Sequence, residues 1–283
     1  MDPEHTPMTT DGIEWMRFPA IDIHGHTGVW AGIDNGLTAH CQGAPPQEVS
    51  RRAEACRIDL TVVSELGAFD AAPDRLADVE AGNAVAATAA EQFANLCFWA
   101  VVNPKRQGWQ DSTDTLLDHP RCAGVKLHPR FHWWPVEQCA DGVFPYLHDR
   151  NILTLIHTGH AGNEPERFIP YANRYPNARL ILAHLGNDDV DDTLDRQIKA
   201  VLAATQGNVW TDTSSFRSIT SNLIEHAVNK IGEDRILFGT DTPIYWAAMQ
   251  KARIAYAEIS DSAKRKILRD TAAGLLRIDV AGA

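Results

Sequence analysis

The 283-residue sequence has no apolar run long enough to cross a bilayer, no CxxC pair and no excess of positive charge. Each absence removes a class. A transmembrane helix needs about 20 consecutive apolar residues, so no membrane partner is expected. Five scattered cysteines (Cys41, Cys56, Cys97, Cys122 and Cys139) do not form a disulfide framework, and they fit a reduced, cytoplasmic chain. With 26 Lys and Arg against 37 Asp and Glu, the net charge is −11, which argues against nucleic acid as the main partner. The opening "MDPEHTPMTTDGIEW" lacks the basic-then-apolar pattern of a signal peptide, and residues 1–16 read as a flexible tail before one domain, 17–283. No linker or low-complexity segment divides that domain.

What is present is a rhythm. Eight short β-rich runs recur: "FPAIDIH" (18–24), "IDLTVVSEL" (58–66), "LCFWAVVNP" (96–104), "CAGVKLHP" (122–129), "NILTLIHTG" (151–159), "NARLILAHLG" (177–186), "GNVWTDTSS" (207–215) and "DRILFGTD" (234–241). Segments of helical composition separate them, and residues 247–278 read as two closing helices. From the fourth run on the spacing is close to 30 residues, the length of a βα unit with a right-handed crossover. Val-, Ile- and Leu-rich runs suit parallel strands buried on both faces. Eight such units predict an α/β fold, a (β/α)8 TIM barrel. An open doubly wound sheet would carry G-x-G-x-x-G after its first strand, and "HGHTGVWAG" is not that motif.

The polar residues that end these runs carry the chemistry. His24 and His26 close the first, His128 the fourth, His157 the fifth, His184 the sixth and Asp241 the eighth. In a TIM barrel those ends converge on one mouth, where active sites are built. A single buried histidine is usually a hydrogen-bonded core residue. A repeated "strand, then His or Asp" ending is harder to explain by packing, because each buried polar group costs free energy unless paired. His24, His26, His157 and Asp241 together supply three nitrogens and one oxygen for Zn²⁺ or another divalent ion, with a position left for water or substrate. Asp241 can accept a proton from a water activated there, and His184 can polarise a carbonyl or shuttle a proton.

The ordered set "DIHGH", "GVKLHP", "IHTG", "LAHLG" and "LFGTDTP" resembles the amidohydrolase superfamily from about residue 18 to 280, in particular its amidohydrolase-related branch that includes aminocarboxymuconate-semialdehyde decarboxylase. The resemblance implies one divalent ion per chain, commonly zinc, on His24, His26, His157 and Asp241, with His184 as the second catalytic group and a homo-oligomeric assembly. Several decarboxylases of the branch have Glu in place of the first strand-1 histidine. This chain keeps His24, so two reactions stay open: hydrolysis of an ester, lactone or amide of a small carboxylated substrate by a Zn-activated water, and nonoxidative decarboxylation of a small aromatic or unsaturated acid. A metal-free binding protein is the third class. Lys126 is open to two readings, a carboxylated lysine bridging two metals or a cation for a substrate carboxylate.

The loop "HPRFHWWPVEQ" adds substrate-binding candidates. Arg130 is an anion binder there, His128 is a polar contact, and Trp133 and Trp134 are pocket walls; Arg217, in "TDTSSFRS" after the seventh run, is a further anion binder. Glu65 is a further polar contact. "GNDDVDDTLD" (186–195) reads as the capped start of the sixth helix rather than an acidic metal motif. Residues 30–46 read as a long loop over the pocket or at a dimer contact.

Overall fold

The computed structural model describes residues 12–30, 36–69 and 77–278. Helix α1 (Gly12–Arg17) leads into β1 (Ala20–Thr27), followed by α2 (Gly36–Gln42), α3 (Pro46–Ala55), β2 (Ile58–Glu65), α4 (Val79–Gln92), β3 (Leu96–Val102), α5 (Trp109–Leu117), β4 (Cys122–Leu127), α6 (Val136–Asp149) and β5 (Leu153–Ile156). Then come α7 (Ile169–Arg174), β6 (Arg179–Leu182), α8 (Arg196–Ala203), β7 (Val209–Asp212), α9 (Leu223–Ile231), β8 (Ile236–Leu237), α10 (Ala247–Ala255), α11 (Asp261–Arg265), a π-turn (Lys266–Asp270) and α12 (Thr271–Leu276). The eight strands pair in parallel in sequence order. The seam between last and first strand is closed by main-chain bonds: Ile23 donates to Phe238 (2.9 Å) and Asp241 to His24 (2.7 Å). This is the expected (β/α)8 barrel, and each strand lies inside its predicted run except β1, which runs on to Thr27.

The strands are apolar on both faces because both are covered. Ile21, Ile23, Val62, Trp99, Leu155, Ile181 and Leu237 form one buried cluster with other strand residues. Val125, Leu127, Val136, Phe144, Leu147, Leu180 and Leu182 pack a second, between sheet and helices. No helix among the described residues is long and apolar enough to cross a membrane.

Two expectations need correction. Residues 12–16, expected in the tail, begin α1, whose Trp15 is buried against Phe18 with ring centroids 5.1 Å apart. Apolar burial of an indole outweighs the polar composition around it. Residues 1–11 lie outside the described residues. The segment 30–46 is not all loop, since residues 36–42 form α2 and Gly28 pairs with Ala44; residues 31–35 lie outside the described residues.

Asp22 is the buried carboxyl that ties the seam together. It accepts the Thr240 hydroxyl (2.6 Å) and the main-chain N–H groups of Thr240 (3.0 Å) and His24 (3.1 Å). Burial nevertheless pushes its pKa up to about 7, with these hydrogen bonds opposing. A carboxyl whose pKa rises on folding adds stability that is fully present below its unfolded value and is lost as pH rises through the folded one. The metal-free wild type therefore loses stability relative to Asp22→Asn between about pH 4 and about pH 7. Urea melts of both proteins across that range measure the difference, and parallel pH profiles would show that Asp22 does not titrate there.

Candidate metal centre

Strand β1 ends in alternation, so His24 and His26 share a face, and Gly25 between them lets β2 and the chain after β8 approach β1 closely. A Cβ at Gly25 would stand 2.6 Å from Thr61 Cγ2, too close for any other residue without a shift. Gly239 plays the same part on the other side, where a Cβ would meet His24, Asp212 and Ser214 at 3.1–3.2 Å. The donors then converge. Asp241 Oδ1 lies 3.0 Å from His26 Nε2 and 3.4 Å from His24 Nε2, and all three side chains are buried. Ligand atoms about 2.0–2.2 Å from one ion stand roughly 3.0–3.5 Å from each other in octahedral or tetrahedral geometry. The observed spacings fit.

His157 stands outside that three-donor group. Its Nδ1 is 3.0 Å from His184 Nε2, and its own Nε2 is buried without a hydrogen-bond partner among the described residues. Such an atom is costly to leave unpaired, and an ion is one way to satisfy it. His128 stacks on His157 at 3.9 Å between centroids, and His160, which sequence reasoning misses, stacks on its other side at 5.0 Å.

Lys126 reaches the centre directly. Its Nζ lies 2.8 Å from His24 Nε2, fully buried, and burial lowers its pKa to about 8, against the pull of Asp241 and Asp212. Burial likewise lowers His26 to about 4 and His184 to about 3, and takes His128 and His157 well below the ordinary imidazole range. Burial opposes the charge on Asp241, but the hydrogen bond from His26 and the neighbouring imidazoles overcome it and hold the carboxyl well below its usual range. His26, His128, His157 and His184 are therefore neutral imidazoles, set beside the Asp241 and Asp212 carboxylates and the Lys126 ammonium. His184 (φ 74) and Asp241 (φ 57) both adopt the left-handed backbone region, an expense tolerated where position matters more than stability.

Asp212, at the end of β7, is a member of the centre that sequence reasoning misses. It accepts His24 Nδ1–H at 2.8 Å through Oδ2, while Oδ1 accepts the main-chain N–H groups of His184 (2.9 Å) and Ser214 (3.0 Å). A signal for it exists, because "VWTD" ends in an aspartate as "LFGTD" does.

The remaining candidates divide. Trp134 is not a pocket wall. It is buried in the cluster with Val102, Leu127 and Val136, because the turn bonding its N–H to Pro129 folds it back toward α6. Trp133, left-handed at φ 52, is 42% exposed. The aromatic contacts of the centre come instead from Phe69, beside His26 (5.9 Å) and His128 (5.0 Å), and from Phe131, beside His128 (4.6 Å). Arg130 and Arg217 are part of the loop surface, facing Asp189 (3.8 Å) and Asp192 (2.5 Å) respectively. Glu65 accepts the Thr27 hydroxyl at 2.5 Å. In the acidic run, Asp188 does not cap α8. It is buried and accepts the N–H groups of Val190, Asp191 and Thr193, which shapes the loop before the helix.

A closed eightfold barrel with His, His and Asp donors at its mouth defines a class of metal-dependent TIM-barrel enzymes. The sequence matches the amidohydrolase family over residues 21–278, and the chain belongs to that family. No curated protein matches it. Among solved structures, 2,6-dihydroxybenzoate decarboxylase from Rhizobium is similar with a TM-score of 0.70 at 13% identity, covering 92% of this chain and 99% of that one. The 5-carboxyvanillate decarboxylase LigW of Sphingomonas paucimobilis gives 0.69 at 12%, covering 92% and 99%. A Pseudomonas putida protein provisionally described as a 2-pyrone-4,6-dicarboxylic acid hydrolase gives 0.63 at 16%, covering 93% and 98%. At these identities the likeness is one of fold.

Proposed function

We propose that this enzyme removes CO2 nonoxidatively from a small aromatic or unsaturated carboxylic acid, using one divalent ion per chain. The observation that carries the reading is the place of the buried ammonium: Lys126 Nζ is 2.8 Å from His24 Nε2, among the metal donors themselves. A buried cation needs an anion. Asp241 and Asp212 already lie near the ammonium, and a substrate carboxylate that joined them would sit at the reacting centre, as decarboxylation requires. Two of the solved relatives are named as decarboxylases, which supports the same reading.

His24, His26 and Asp241 would hold the ion, and His157, whose buried Nε2 lacks a partner among the described residues, is the proposed fourth ligand. When bound, the ion supplies a Lewis acid that binds and polarises substrate oxygens. Lys126 would orient the carboxylate, and the half-buried Phe131 beside His128 offers an apolar face to a flat ring. Loss of CO2 leaves an electron pair on the ring or alkene carbon that takes up one proton, and His184, beside the centre, would relay it. Zinc is proposed from the His and Asp donor chemistry, and manganese is the alternative, being the ion named with a similar decarboxylase from Polaromonas.

A second reading, hydrolysis of a carboxylated ester, lactone or amide, is favoured by the ionised Asp241, which suits a group that accepts a proton from water. Elemental analysis followed by a panel of hydroxybenzoates, unsaturated acids and carboxylated lactones separates the two. Released CO2 with one ion per chain is expected, and its loss on chelation with recovery on adding back the ion completes the case. Products that keep every carbon and gain water would replace this reading with the hydrolase. Two ions per chain would make Lys126 a bridging ligand, and no ion after reconstitution would overturn metal dependence.

A further inference from the structure

The hydrogen bonds around Asp212 determine where the protons lie on three imidazoles. Asp212 is fully buried and only accepts, so His24 Nδ1, 2.8 Å from Oδ2, carries a proton. The Lys126 ammonium, which can only donate, lies 2.8 Å from His24 Nε2, so that nitrogen accepts through its lone pair. Ser214 has one hydroxyl proton and gives it to Asp212 Oδ1. Its oxygen can therefore only accept from the other neighbours, His24 Nδ1 and His184 Nδ1, each 2.9 Å away. His184 thus has its proton on Nδ1 and a lone pair on Nε2. That lone pair faces His157 Nδ1 at 3.0 Å, which must donate, and the His157 lone pair is left on Nε2. Nε2 is the buried nitrogen that has no partner among the described residues. The chain of donors and acceptors runs in one direction, from an ion ligand back to a carboxylate on another strand.

His26 provides the contrast. Ser64 presents both a carbonyl oxygen (3.2 Å) and a hydroxyl (2.9 Å) to its Nδ1, so either tautomer is satisfied there. Its proton position is left to Asp241 and the ion. The other histidines are specified in advance.

We infer that Asp212 is a positioning residue that, through Ser214, fixes the tautomers of His24, His184 and His157 and so presents the Nε2 lone pairs of His24 and His157 to the ion. This rests on the metal-centre reading above and goes beyond it, by assigning the β7 pair a task that the ligands cannot perform for themselves. A metal-ligating histidine is commonly oriented by a carboxylate on its other nitrogen. Here one carboxylate serves two ligands at once, one directly and one through a serine and a second histidine.

Long-range ¹H–¹⁵N spectra of histidine-labelled, metal-free protein test it, because they distinguish Nδ1–H from Nε2–H. All three residues are expected as Nδ1–H in the wild type. Ser214→Ala removes the acceptor of His184 but leaves the Asp212–His24 bond. In that variant His184 and His157 should move toward Nε2–H while His24 stays, and Mn²⁺ affinity measured against a competing chelator should fall about 10- to 100-fold. Asp212→Asn places an amide donor at His24 Nδ1 and should move His24 itself to Nε2–H. An Nε2–H signal for His184 or His157 in the wild type, or unchanged tautomers in Ser214→Ala, would overturn the inference even if Asp212→Asn fails to fold. A wild type that binds no ion overturns the proposed function alone, since the tautomers are read without metal.

Discussion

Asp241→Asn should lower kcat/KM by about 10³-fold or more, since it removes both an anionic ion ligand and a proton acceptor, each of which can be worth about 10²- to 10⁴-fold in such centres. The substitution is a clean one. Asn is among the few residues that tolerate the left-handed backbone, and Asp241 sits at φ 57. The amide oxygen of the variant can still meet His26 Nε2, which lies 3.0 Å from Oδ1 in the wild type. The melting temperature of the metal-free variant should therefore stay close to that of the metal-free wild type, while stoichiometric metal falls in elemental analysis. An active Asp241→Asn variant with full metal content would remove Asp241 from the centre.

Lys126→Met should separate function from stability in the opposite sense. Met occupies much the same volume, and it relieves the cost of keeping an ammonium fully buried among imidazoles. The variant should unfold at an unchanged or higher temperature. Substrate recognition should suffer, because truncating one partner of a buried charge pair costs about 2–5 kcal/mol, or roughly 30- to 5,000-fold in kcat/KM. A carboxamide analogue, which lacks the negative charge, should lose much less than the acid. If acid and amide suffer equally, Lys126 does not hold the substrate carboxylate. If the variant is less stable than the wild type, the ammonium is a structural partner of its neighbours.

The barrel is legible in the sequence because each strand is a short apolar run and the runs are spaced by whole βα units. The donors are legible because a barrel gathers the residues that end its strands, so His24, His26, Lys126 and Asp241 meet although they are scattered along the chain. The loop residues are not. Trp133 and Trp134 look alike in sequence, but the turn at Trp133 sends one to solvent and the other beneath α6. Arg130 and Arg217 read as free cations because their acidic partners lie on a different loop, and only the fold brings Asp189 and Asp192 to them. His160 shows no strand ending to mark it. Its stacking on His157 depends on how the chain turns after β5.

The seam where β8 meets β1 has a further consequence for how the chain is made. His26 and Asp241 are separated by 215 residues and belong to the first and last βα units of the barrel. During synthesis the first donors emerge early and wait for nearly the whole barrel before their partner leaves the ribosome. β8 is also the shortest of the eight strands, only two residues. An ion bound across that junction would act as a clasp between the two ends of the barrel, stabilising the native state by an amount that grows with the logarithm of its concentration over its dissociation constant. Metal loading would then add stability across a junction that the chain's own main-chain bonds already close.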